Sequence, residues 1–289
     1  MNKEILSMIG FKSLLSTLKE SAQKAFFSLL SSKDQELLKI TPLVAFDSLL
    51  DSSVETFIDS IDASWIHYVF EKKSAQDHLV ISYAFPKQKN DLIKIFSIAD
   101  ESIALSPLAS QYIRHYAYDA LLELKEKTYP VYVEKENQLY GLLNLKTDEL
   151  KNLLFALGLY DFKREMNHLI DTSKVLSIKE SWEKKFLLFL QDISKEQEQL
   201  HLPLIGLNYW DGNLENLNLL LYHRGLNRMA KILSVHSVNF YWHFQLLLPI
   251  DDAKILKKFM VKNIDPNVVA TLTYQLEKAM SFFGNLSED

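Results

Sequence analysis

Apolar residues recur at three- and four-residue spacing along most of the chain, the mark of amphipathic helices with one stripe turned inward. The densest punctuation lies between Asn213 and Phe283. Asn213 to Tyr222 carries one apolar stripe, and Arg224 to Leu233 carries a second after a turn expected at Gly225. His236 to Leu248 is a third helix, stopped by Pro249. Asp251 to Lys262 is a fourth, and Asp265-Pro266 opens a fifth that runs to Gly284. Asp followed by Pro starts a helix for a physical reason. The carboxylate accepts orphan backbone N–H groups, and Pro lacks an N–H that the first turn would leave unused.

Upstream, Met1 to Leu30 mixes Ile5, Met8, Ile9, Leu15, Leu18, Phe26 and Phe27 with Lys3, Glu4, Lys12, Lys19, Glu20 and Lys24. A secretory signal needs an unbroken apolar core, so this stretch reads as an amphipathic helix docked on its own domain. Helix starts are expected at Thr41-Pro42, at Ser52 and Ser53, and at Ser106-Pro107, whose helix runs towards Lys127. Ser74 with Asp77 has the spacing of a capping box. His78 to Phe85 is rich in β-branched residues but sits among helices, and it reads as helix.

The one clear break in period is Tyr129 to Asn137, where Pro130 blocks a helix and Tyr129, Val131 and Val133 alternate. Beyond it Thr147 starts a helix with the stripe Leu150, Leu153, Leu154 and Leu157, expected to end at Gly158. Asp161 to Ile170 forms the next. Ser177 with Glu180 suggests a capping box for a long helix to about Gln199, and Leu202 to Gly206 reads as a linker. The expected fold is therefore all-α: helical hairpins in armadillo-like or solenoid-like packing, ending in a compact helical domain. The units fall at 1–128, 129–200 and 201–289, and the region from Leu202 onward is expected to fold alone.

Composition narrows the function more than the fold. A net charge of −5 over 289 residues argues against a general nucleic-acid binder, whose affinity would come from neutralising phosphates. The absence of cysteine removes disulfides, thiol catalysis and thiolate metal sites. No run reaches the ~18 consecutive apolar residues of a membrane span.

Chemistry-bearing patterns are sparse. Glu165-Met-Asn-His168 and Glu198-Gln-Leu-His201 each have the Glu-x-x-His spacing used in di-iron bundles. That site also needs a glutamate from each of two further helices, and coincidental spacing of surface residues is the plainer reading. Asp77-His78, His115 with Asp119, and His168 with Asp171 read as helix-surface pairs rather than acid–base catalysts, because no nucleophile or phosphate loop accompanies them. Trp210 and Trp242 sit in apolar surroundings and read as core. Arg224, Arg228 and Lys231 fall at i, i+4 and i+7 and should form one basic helix face. On the following helix Asp251 and Asp252 occupy the first turn, with Lys254, Lys257, Lys258 and Lys262 further along. Ile255, Leu256, Phe259 and Met260 should pack inward and leave those lysines outward. Either basic face suits an acidic protein partner.

One resemblance covers Asn208 to Phe283. Tyr209-Trp210-Asp211, then Leu219 to Leu233 with Arg228-Met-Ala-Lys-Ile-Leu, then Asp251 to Phe259, then Val268 to Phe282, resemble in order and length the C-terminal domain of the flagellar motor switch protein FliG. Leu142 to Ile193 weakly resembles the armadillo-like middle part of that family. The chain departs from the pattern in the charged helix, where Asp251 stands for a basic residue and Lys257 and Lys258 stand for an acidic pair. That reversal counts against torque transmission. The resemblance therefore implies a non-enzymatic cytoplasmic adaptor of a flagellar-related type III secretion apparatus, of the SctK kind. Its partners would be inner-membrane ring or sorting-platform proteins, and it would be peripheral to the membrane at most. No cofactor, metal or nucleic acid is implied. A secreted effector or helical regulator is the alternative, given the Ser-rich amphipathic N-terminus, and a helical metal-dependent enzyme is the third.

Elemental analysis of the purified protein is expected to show no stoichiometric metal, with no nucleotide hydrolysis in the same sample. About one iron or zinc per chain, lost in Glu165→Ala, would establish the metal reading instead.

Overall fold

The computed structural model describes residues 57–123, 138–166, 172–196, 200 and 206–285, together with residues 27, 30, 31 and 35. Among these residues every regular element is helical, so the chain is all-α. Most of Met1 to Leu30, the starts at Thr41-Pro42 and Ser52/Ser53, the connector Tyr129 to Asn137 and the stretch 202–205 lie outside the described residues.

The first group of helices comprises α1 (Ala63–Phe70), α2 (Ala75–Ala84), α3 (Lys89–Phe96) and α4 (Pro107–Glu123). Their starts follow local chemistry. Asp62 accepts the Ser64 N–H at 2.9 Å to cap α1. Ser74 and Asp77 form both bonds of a capping box on α2. The β-branched run from His78 is helical as expected, because its apolar side chains are buried on a helix face. Ser106 accepts the Ala109 N–H at 3.2 Å ahead of α4. Ile58, Ile66, Phe70, Ile81, Phe85, Leu92 and Leu121 close the core of this group.

The second group comprises a 3-10 turn at Gln138–Asn144, α5 (Thr147–Met166), α6 (Thr172–Ser181), α7 (Lys184–Ile193) and a short 3-10 turn at Leu207–Tyr209. It continues with α8 (Leu214–Leu233), α9 (Val238–Leu246), α10 (Ile250–Phe259) and α11 (Pro266–Asn285). One buried cluster runs from Leu139 through Leu154, Phe189, Leu226 and Leu256 to Ala279, continuous across the junction expected near residue 200.

Helices α5 and α8 form its centre, and here the structure corrects two expected breaks. Gly158 does not end a helix, and Gly225 does not make a turn. Both lie inside unbroken twenty-residue helices, and neither has the positive φ of a turn glycine. They are glycines because the two backbones touch. A Cβ on Gly158 would stand 2.0 Å from the Leu221 carbonyl oxygen, and one on Gly225 would stand 1.7 Å from that of Leu154. Ordinary side chains hold helix axes about 8–10 Å apart; paired glycines let the backbones approach closely.

Ser177 is also corrected. It lies within α6, where its hydroxyl donates to the Ser173 carbonyl at 3.0 Å, and the next helix starts only at Lys184 and ends at Ile193. A hydroxyl four residues from a carbonyl bonds back along its own helix as readily as it caps one.

The two groups join through α1 and the entry to α10. The Asp62 N–H donates to the Leu246 carbonyl at 2.9 Å, and the Trp65 indole donates to the Leu248 carbonyl at 2.8 Å. The Ile250 N–H, which Pro249 cannot cap, donates to the Ser64 hydroxyl at 3.0 Å. Trp242 and Leu246 of α9 complete the first group's core.

Gly158→Ala and Gly225→Ala should each lower the free energy of unfolding by about 3 kcal/mol, the upper part of the range for overpacking, because the added methyl meets rigid backbone. Gly284→Ala, where nothing lies within 4 Å of the added carbon, should be neutral or stabilise by up to ~1 kcal/mol through helix propensity. Urea unfolding midpoints of the three variants check the opposite signs.

Candidate functional site

The two basic faces expected from spacing have different fates. On α8, Arg228 is 1% exposed. Its guanidinium pairs with Asp161 of α5 at 2.8 Å and donates to the Gln275 side-chain oxygen of α11. It also lies 5.5 Å over the Tyr160 ring. The basic stripe is therefore not a solvent face. Arg228 falls on the same side of α8 as Leu221, Gly225 and Ile232, all buried, and serves as a polar pin among α5, α8 and α11. Arg224 and Lys231 are half-buried. Burial holds the Lys231 ammonium below its ordinary pKa, and neighbouring Arg228 adds to that depression, opposed by Asp161. Arg228 turns towards α5 and α11, so the three residues do not form one outward basic face, and Arg224 and Lys231 flank it half-buried.

On α10 the expectation holds. Leu256 and Ala253 are buried, Ile255, Phe259 and Met260 are half-buried against the main cluster, and Lys254, Lys257 and Lys258 are exposed. The acidic first turn divides its work. Asp251 is exposed and pairs with Lys254 at 2.9 Å. Asp252 accepts the Tyr222 hydroxyl at 2.8 Å and seats α10 on α8. Burial, reinforced by the Asp252 charge, pushes the Tyr222 phenol well above its ordinary pKa. Helix α10 ends at Phe259, with Met260 extended, so Lys262 belongs to the loop beyond it. Among the described residues no ion pair engages Lys257 or Lys258.

Several of the remaining candidates have structural roles. Glu165 is buried, and one of its carboxylate oxygens accepts the N–H groups of Gly206 at 2.8 Å and Leu207 at 3.0 Å. It anchors the chain entering α8, a role spread across 41 residues of sequence that no local pattern announces. Its partner in the Glu-x-x-His pattern, His168, lies outside the described residues, as do Asp171, Glu198 and His201. Among the described residues no group of three or more His, Asp or Glu is arranged to hold a metal ion. Asp77 is engaged in the α2 cap. His78 bonds the Phe70 carbonyl at 3.0 Å and stacks on Phe96 at 3.9 Å between ring centres. Trp242 is buried, whereas Trp210 is half-buried, with the Lys174 ammonium 5.6 Å over its ring.

A shallow depression of about 340 Å³ is lined by Asp192, Tyr274, Glu277, Lys278, Ser281 and Phe282. Lys278 fills its polar needs there, pairing with Asp192 at 2.7 Å and Glu196 at 2.5 Å. Burial opposes that charge, but the two carboxylates outweigh it and raise the Lys278 pKa. No described helix is long and apolar enough to cross a membrane.

Comparison of the chain with protein-family models, with curated proteins and with solved structures finds no match. The surface that stands out is thus defined by its own geometry: the outward lysine row of α10, held in place by Tyr222, Ser64 and the buried Leu256.

Arg228→Ala should destabilise the protein by about 3–5 kcal/mol, because it strands the Asp161 carboxylate in the core. Replacing the pair together, as Arg228→Met with Asp161→Leu, should cost less than the two single changes summed. Chemical denaturation of the wild type, Arg228→Met, Asp161→Leu and the double variant gives the cycle; separately, a loss below ~0.5 kcal/mol in Arg228→Ala would mean the side chain is solvated.

Proposed function

We propose that the protein is a non-enzymatic helical adaptor that recruits an acidic protein partner through Lys254, Lys257 and Lys258 of α10. Its setting would be the cytoplasmic face of a flagellar-related secretion apparatus, with ring or sorting-platform proteins as partners. The observation that supports the partner class is the division of α10 into a seated apolar side and a lysine row, of which Lys257 and Lys258 make no ion pair among the described residues. Lysines in the last turn do complement the helix dipole, by about 0.3–1 kcal/mol each, so the two roles must be separated by binding. The apparatus is inferred from the resemblance of Asn208 to Phe283 to the flagellar switch family, with the reversed charges favouring a platform adaptor over a rotor component.

Lys257→Glu with Lys258→Glu should abolish recruitment of ring or platform proteins in a pull-down. The melting transition should shift little, since exposed helix charges contribute about 0–1 kcal/mol. Unchanged recruitment with a lowered melting temperature would assign these lysines to the helix alone.

A further inference from the structure

Three exposed valines lie on the segments that adjoin the C-terminal end of α10. Val235 is 54% exposed, Val238 66% and Val261 40%. Val235 sits in the turn between α8 and α9, Val238 opens α9, and Val261 follows the end of α10. Ser234 ties these segments together. Its hydroxyl donates to the Ala230 carbonyl at 2.7 Å and accepts the Val261 N–H at 3.1 Å, which brings the residues after α10 onto the turn after α8. Ser237 caps α9 by accepting the Phe240 N–H at 3.2 Å and fixes the other side of the same turn.

Lys257, Lys258 and Lys262 are exposed on the stretch that carries Val261. Among the described residues no ion pair engages them. The nearest acid in the following sequence, Asp265, is occupied by the Asn267 N–H at 2.9 Å.

We infer that Val235, Val238 and Val261, with Lys257, Lys258 and Lys262 beside them, form one footprint for an acidic amphipathic helix of a partner protein. The inference rests on the adaptor reading and adds an apolar anchor to it. Exposed apolar patches rimmed by polar residues mark interaction sites, and a helix laid on such a patch presents apolar residues on one face and its charges to the rim. Valine suits this use, since its branched side chain has little rotamer freedom to lose on binding. Charge complementarity selects the occupant, because the exposed Lys257, Lys258 and Lys262 favour an acid opposite them. An anionic membrane fits less well. Adsorption there needs larger apolar side chains such as Trp, Phe or Leu and more basic residues than this patch holds.

The test uses the full chain and a stapled helical peptide of about five turns, with leucine at i, i+3, i+4 and i+7 and glutamate elsewhere. The comparison probes are a peptide of the same composition with the stripe scrambled, and vesicles containing phosphatidylserine. In fluorescence anisotropy the striped peptide should bind at least about tenfold more tightly than the scrambled one. Val235→Ser with Val261→Ser should remove that difference while leaving the salt-dependent part of binding. Lys257→Glu with Lys258→Glu should weaken both peptides.

If the lysine variant weakens binding but the valine variant does not, the footprint falls and the lysine row stands. If neither variant weakens binding, both readings fall. Vesicle binding as strong as peptide binding, lost in the same variants, would overturn the protein partner in favour of a lipid surface.

Discussion

Helices α5 and α8 touch backbone to backbone at Gly158 and Gly225, with no room for a methyl group at either. The neighbouring residues inherit their positions from this approach. Asp161 stands three residues after Gly158 and Arg228 three after Gly225, on the same buried faces. Their ion pair, with Gln275 beside it, links the crossing to α11. A guanidinium and a carboxylate inside a core are tolerable because each neutralises the other and because the sites are shielded together; either alone would be costly. Close approach supplies the shape of the centre, and the buried pair ties α5, α8 and α11 together there.

The surface proposed for binding lies one step outward from this centre. Helix α8 carries Tyr222, whose hydroxyl holds Asp252, and is capped by Ser234, whose hydroxyl holds the Val261 N–H. Ser64 of α1 caps the start of α10. Helix α10 is therefore fixed at its start, along its apolar side and at its end. A helix fixed in this way needs no further ordering of the backbone beneath its lysines when something binds, which is what the proposed adaptor role would require.

Much of the fold was legible in the sequence. The capping box at Ser74 and Asp77, the start at Ser106-Pro107 and the inward stripe Ile255, Leu256, Phe259 and Met260 each carry a local mechanism, and each is present in the structure. The misreadings share a cause. Glycine has the same letter whether it frees a backbone to turn or clears space for another helix, so Gly158 and Gly225 read as stops. Arg224, Arg228 and Lys231 have the spacing of a solvent face, but a helix row has no direction until its neighbours are known. One signal was available: Arg228 lies four residues before Ile232 and seven after Leu221, within the apolar stripe itself. Glu165 offered none, because its partners at Gly206 and Leu207 are distant in sequence.

The α5–α8 crossing should be the most stable part of the molecule, and native-state hydrogen exchange tests that most directly. Amides from Leu153 to Tyr160 and from Leu221 to Arg228 should exchange only through global unfolding, with the free energy measured by denaturant. Exchange of these amides at a lower free energy than those of α1 to α4 would contradict it, and would place the organising contact elsewhere in the chain.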